Sequence, residues 1–225
     1  MTTALLANLN ALAAGLFLLC AFGMVATRQV QGCLRLFVGE ALLLAASAGL
    51  LSVLLHSWHV FAVAVINVVT KPFLIPWVLR RTVGEEVQGR REIDQAVNIP
   101  TSLLIALGLA IAAFFLAAPL LAAADGAYAR VNLPIGLAGL FLGAYTASVR
   151  REAVPLLLGL LAMENSAFFA GVAIAPDLPL IAELAVAFDV LMLALIVGLL
   201  TRTIHEHIGT TEVGSLATLK EGEPR

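Results

Sequence analysis

Long apolar runs divided by short polar breaks dominate the chain. Runs of spanning length fall at roughly 4–26, 36–57, 58–79, 99–124, 132–149, 153–175 and 179–200. At about 1.5 Å per helical residue, each can cross or nearly cross a hydrocarbon layer of about 30 Å. The breaks at 28–35, 56–59, 80–98, 125–132, 150–152 and 176–179 carry the charges, histidines and turn-forming residues. The second and third runs meet at His56-Ser57-Trp58-His59 with almost no loop. The pattern predicts an all-α, polytopic membrane helical bundle of about seven transmembrane helices. Backbone satisfied within each segment is what a bilayer demands of a span.

Composition agrees with lipid as the solvent. Hydrophobic residues make up 61% of the chain and charged residues 12%, and the mean hydropathy is +1.00. A soluble core of 225 residues cannot hide that much apolar surface. The net charge of −2 gives no reason to expect nucleic acid. The two cysteines, Cys20 and Cys33, form no metal-binding spacing, so an iron–sulfur cluster, which needs about four thiolates, is not expected here. The first run lacks a basic leader and exceeds a signal-peptide core, so it is expected to remain as a span.

Basic residues set the expected orientation. With the N-terminus outside, Arg28, Arg35, Arg80, Arg81, Arg90, Arg91, Arg150, Arg151, Arg202, Lys220 and Arg225 fall on the cytoplasmic side. These are eleven of the 13 Lys and Arg residues. Arg130 falls outside and Lys71 within a span. That bias predicts an outer N-terminus and a cytoplasmic C-terminus.

The chain also resembles itself. RQVQGCLRLFVGEALLLAAS from Arg28 and RREAVPLLLGLLAMENSAFF from Arg150 each place arginine at the edge of a span that bears an acid further in. A plain span precedes each, and a span with a buried charge follows, Lys71 or Asp189. The organisation reads as a first three-helix unit with its loop (1–98), a linker helix (99–131), a second three-helix unit (132–200) and a tail (201–225). Because the linker crosses once, both units point the same way, as in parallel-repeat transport proteins.

Charges within spans are the informative residues, because each costs roughly 2.5–3.5 kcal/mol at mid-membrane. Glu164 lies thirteen residues from Arg151, and Asp189 thirteen from Arg202, so both sit about 20 Å from the cytoplasmic edge. Two carboxyl groups at one depth resist joint ionisation, and a proton can then be taken and released near neutral pH. The alternative is a hydrogen-bonded pair that only joins helices. Glu40 occupies the corresponding place in the first unit. Lys71 sits in INVVTKPFLIP, where Pro72 and Pro76 free backbone carbonyls and bend or break the helix. A buried cation facing a carboxylate there suits a switchable ion pair, with snorkelling to the surface as the alternative. Asn67, Asn165, Ser166 and Glu183 are candidate supporting polar groups. Glu183 lies near the outer end of its span, where interfacial placement is expected. His56 and His59 flank Trp58 as interfacial anchors, and no Ser-His-Asp set, P-loop or dinucleotide fingerprint occurs.

MENSAFFAG, AFDVLMLALIVGLL and the tail IGTTEVGSLATLKEG resemble NuoK, the small three-helix subunit of respiratory Complex I, and its Mrp antiporter relative MrpC. The acids of that pattern fall on Glu164 and on Asp189, where NuoK typically has Glu. The first unit matches less well, since Glu40 fits but Lys71 stands near the second acid. As a whole the chain resembles the hydrogenase-4 component E family, most strongly from about Ile135 onward.

That resemblance implies a non-catalytic subunit of a membrane-bound nickel–iron hydrogenase complex of the formate-hydrogenlyase type. The expected place is a prokaryotic cytoplasmic (inner) membrane, among lipids, between antiporter-like membrane subunits and a peripheral hydrogenase arm. Glu164, Asp189, Glu40 and Lys71 would serve proton translocation coupled to electron transfer. No cofactor is expected in this chain, with the nickel–iron and iron–sulfur centres in partner subunits. The alternatives are a subunit of a Mrp-type cation/proton antiporter and a purely structural membrane scaffold.

Overall fold

The computed structural model describes residues 2–82, 96–121 and 128–174, together with Gly198. Within them the helices are α1 (Thr2–Ala26), α2 (Val30–Leu55), α3 (Trp58–Val69), α4 (Ile75–Thr82), α5 (Ile99–Leu121), α6 (Ala129–Val149) and α7 (Ala153–Ile174). A π-helical turn, Thr70–Leu74, joins α3 to α4. Among the described residues, six helices are long and apolar enough to cross a membrane: α1, α2, α5, α6, α7 and the path from Val60 through the π turn to Trp77. The chain is a membrane-embedded, all-helical protein. Apart from Gly198, the span expected at 179–200 lies outside the described residues. The loop residues 83–95 and the tail 201–225 lie there too.

Hydropathy placed most helix ends to within a few residues, but not the start of α2. It begins at Val30 rather than 36, and exposed Arg35 sits inside its first two turns. An arginine near a helix end can carry its charge outward along its own stem, so it need not end the helix. The α2–α3 junction is as short as expected. His56 adopts a left-handed conformation, φ 53° and ψ 33°, and donates its N–H to the Ser52 carbonyl.

The core is a ring of four helices. α1 packs on α2 and α6, and α7 packs on α2 and α6, while α3 lies outside α2 and α5 outside α6 and α1. Phe17 of α1 stacks on Phe169 of α7 with centroids 4.5 Å apart at the middle of this ring. α6 and α7 meet almost backbone to backbone. A Cβ added at Gly136 would lie 2.6 Å from the Ala170 nitrogen, and one at Gly143 2.6 Å from the Met163 nitrogen. Lipid tails provide no hydrophobic drive between helices, so close van der Waals contact through small residues is what holds them.

The short turns make helices consecutive in the chain run antiparallel, so that α1 runs parallel to α6 and α2 parallel to α7. The Ala96 N–H donates to the Val149 carbonyl and places the start of α5 beside the end of α6. Arg28, Arg35, Arg80, Arg150 and Arg151 therefore belong to one end of the bundle, and Arg130 to the other. Along the path from α3 through the π turn to α4, exposed Trp58 and Trp77 lie nineteen residues apart. That is about 28 Å of helix, the spacing of two membrane–water interfaces.

Candidate functional site

Three charged side chains from α2, the π turn and α7 meet inside the bundle. Lys71 is 3% exposed, and its Nζ donates to Glu164 Oε1 at 2.7 Å. The same Nζ stands 5.8 Å above the Phe168 ring. The lysine does not snorkel. Its carrier turn explains this: Pro72 has no N–H to offer, and the i→i+5 pattern of Thr70–Leu74 absorbs the resulting mismatch. Thr70 Oγ1 adds a bond to the Ile66 carbonyl at 2.9 Å.

Glu40, on the ring side of α2, is fully buried. Ser166 Oγ donates to the Ala162 carbonyl at 2.8 Å and lies 3.4 Å from Glu40 Oε1. Asn165 is also fully buried and stands beside Glu40, with Lys71 in electrostatic reach. Among the described residues, Glu40 Oε2, Glu164 Oε2 and both polar atoms of Asn165 have no hydrogen-bond partner. Polar atoms so enclosed normally find a partner, so this concentration marks the site. Asn67 is buried one turn before Lys71.

Of the residues singled out in the sequence, Glu40, Lys71, Glu164, Asn165 and Ser166 thus come together. Asp189 and Glu183 lie outside the described residues. The described partner of Glu164 is Lys71. Among the described residues, no three His, Cys, Asp or Glu side chains gather as metal ligands would. Cys20 and Cys33 are free thiols.

Two further polar sites were not evident from the sequence. Asn10 of α1, Ser47 of α2 and Asn132 of α6 form a closed, buried group. Asn10 Nδ2 donates to Asn132 Oδ1 at 2.8 Å, Ser47 Oγ to Asn10 Oδ1 at 2.6 Å, and Asn132 Nδ2 to Ser47 Oγ at 3.2 Å. These neutral groups join three ring helices. An asparagine in the midst of an apolar run, as in LLANLNALAA, was the available signal.

The second is Arg150, 3% exposed at the turn between α6 and α7. Its Nη2 donates to the carbonyls of Met24 at 2.6 Å and Thr27 at 2.9 Å. It thereby caps α1, whose last carbonyls have no intrahelical donor. Burial pushes the guanidinium below its ordinary value, while Cys33, Glu152 and Tyr145 act the other way. The double arginine therefore does more than mark a membrane edge.

The chain is similar to the uncharacterized protein Rv0085 of Mycobacterium tuberculosis, 27% identical over 209 residues that cover 93% of this chain and 94% of that protein. No family model matches the chain. No solved structure matches it either.

Proposed function

We propose that this chain is a non-catalytic membrane subunit of a nickel–iron hydrogenase complex of the hydrogenase-4 type. In this role its buried charges take part in proton translocation coupled to electron transfer. The observation that carries the reading is the Lys71–Glu164 pair seated beside Glu40. Two carboxylates and one ammonium in an enclosed site leave room for one proton, and movement of Lys71 toward either acid changes which carboxylate holds it. A π turn that contains Pro72 and is followed by Pro76 is a place where such a movement costs little helix.

Asp189 would extend the path from Glu164 on the seventh span, with Glu183 near its outer end. α1 packs on α6 and α2 on α7, so the corresponding helices of the two proposed three-helix units lie side by side. The arginine-rich end would face the cytoplasm and the peripheral arm. Nickel–iron and iron–sulfur centres would reside in partner chains, and antiporter-like subunits would carry the proton path onward.

A tagged copy pulled from solubilised native membranes tests the assignment. A co-purifying nickel–iron large subunit is the expected result. Antiporter-like subunits without any redox partner would move the assignment to a Mrp-type antiporter. Recovery of the chain alone from mild detergent would contradict both.

A further inference from the structure

We propose that the groove between α1 and α5 holds one acyl chain of an anionic phospholipid whose headgroup sits at Arg28. Neither the charge cluster nor the hydrogenase reading bears on it. Among the described spans, α5 is the most apolar and the least enclosed. It meets the bundle through alanines, with Ala106, Ala110, Ala113 and Ala117 buried, while its bulky side chains stand outward. Leu107 is 51% exposed, Ile111 50% and Phe115 76%. Short side chains against α1 leave a groove of about 430 Å³, lined by Leu18 and Phe22 of α1 and by Leu107, Ile111 and Phe115 of α5 among others.

Every residue that lines the groove is apolar, and both helices are spans, so it opens to hydrocarbon rather than to water. Water finds no polar partner there, and an empty groove forfeits dispersion contacts along its lining. Something apolar must therefore fill it. A helix with its side chains is about 10 Å across, too wide for a groove of this volume. A single flexible acyl chain can follow it.

Charge then selects the lipid. Phe22 and Leu18 lie six and ten residues before Arg28, about 9 and 15 Å of helix. A headgroup at Arg28 thus brings the first carbons of its chain to Phe22 and the later ones to Leu18. Arg28 is exposed, and so are Arg35 and Arg80 at the same end of the bundle. Among the described residues, the acid at that end is Glu152, which is buried and acts on Arg150. A phosphate without a balancing choline or ethanolamine cation is the headgroup that such an end favours.

Native mass spectrometry of the full chain in mild detergent tests this, with phosphatidylglycerol and phosphatidylcholine of identical chains titrated separately. One phosphatidylglycerol should bind saturably, with a midpoint about fivefold below that of phosphatidylcholine. Arg28→Gln should remove this preference and Arg28→Lys should keep it. Ile111→Trp fills the groove from an exposed position and should raise both midpoints about tenfold. Should that variant fail to fold, Leu107→Trp gives the same reading. Equal midpoints for the two lipids in the wild-type chain overturn the anionic headgroup, and unchanged midpoints in folded Ile111→Trp overturn the groove. Phe115→p-benzoylphenylalanine, activated by light in native membranes, should form adducts of lipid mass. Adducts of protein mass would assign the groove to a partner helix and overturn the inference.

Discussion

Lys71 and Glu164, 93 positions apart, are joined by a 2.7 Å contact between Nζ and Oε1. The contact ties the π turn after α3 to α7, two elements with little other packing between them. It also fixes the state of the cluster: while Lys71 is with Glu164, Glu40 faces Asn165 and Ser166 without a cation bonded to it.

The pair should therefore be costly to break and cheap to replace whole. Lys71→Met leaves a mostly buried carboxylate without its cation. Glu164 keeps 20% side-chain exposure, so a loss of about 3 kcal/mol, the low end for such pairs, is expected. The double variant Lys71→Met/Glu164→Leu should recover most of it. Thermal unfolding in nanodiscs measures both, and a double variant as unstable as the sum of the singles would contradict an isolated pair.

The α6–α7 seam should tolerate no added carbon. Gly143→Ala sets its Cβ 2.6 Å from the Met163 backbone nitrogen, so the helices must separate and the fold should lose more than about 2 kcal/mol. Gly108→Ala meets nothing within 4 Å and should gain up to about 1 kcal/mol from helix propensity. Unfolding midpoints of the two variants should move in opposite directions.

How much of this was legible in the sequence depends on the physics involved. Each span must satisfy its own backbone, so hydropathy alone placed the start of α5 at 99, the α2–α3 turn at 56–59 and a span at 153–175, where α7 runs Ala153–Ile174. Glu40, Lys71 and Glu164 stood out because charge in lipid is expensive. That Lys71 takes Glu164 could not be read, because the contact depends on how the π turn lies against α7. The expected pairing of Glu164 with Asp189 lies outside the described residues. Asn10, Ser47 and Asn132 escaped notice because neutral polar groups barely dent a hydropathy average. Arg150 was legible as an edge charge but not as the cap of a helix more than a hundred residues earlier.

The Asn10–Ser47–Asn132 group should behave as a unit. Asn132→Leu alone strands Asn10 Nδ2 in an apolar interior and should cost about 1–3 kcal/mol. Replacing all three residues with apolar ones of similar size should cost less than the single change. Unfolding of the two variants in the same lipid decides it, and a triple variant far less stable than the single would show that more than mutual satisfaction holds the group.

Arg150→Ala should fray the end of α1. The carbonyls of Met24 and Thr27 lose their donor, so amide exchange should accelerate over the last turn of α1 and leave its first turns unchanged. Arg150→Lys keeps a charge at the helix end and should restore part of the protection. Equal exchange in wild type and Arg150→Ala would deny the cap.

The most direct test of the central claim is proton movement into inverted native membrane vesicles, driven by the complex's own electron transfer, with Glu164→Gln in place of the wild-type chain. The glutamine keeps size and hydrogen bonding but cannot titrate. Assembly, read by co-purification of the partner subunits, should survive, while acidification per electron transferred should fall about tenfold or more. Undiminished acidification by an assembled Glu164→Gln complex would contradict the account.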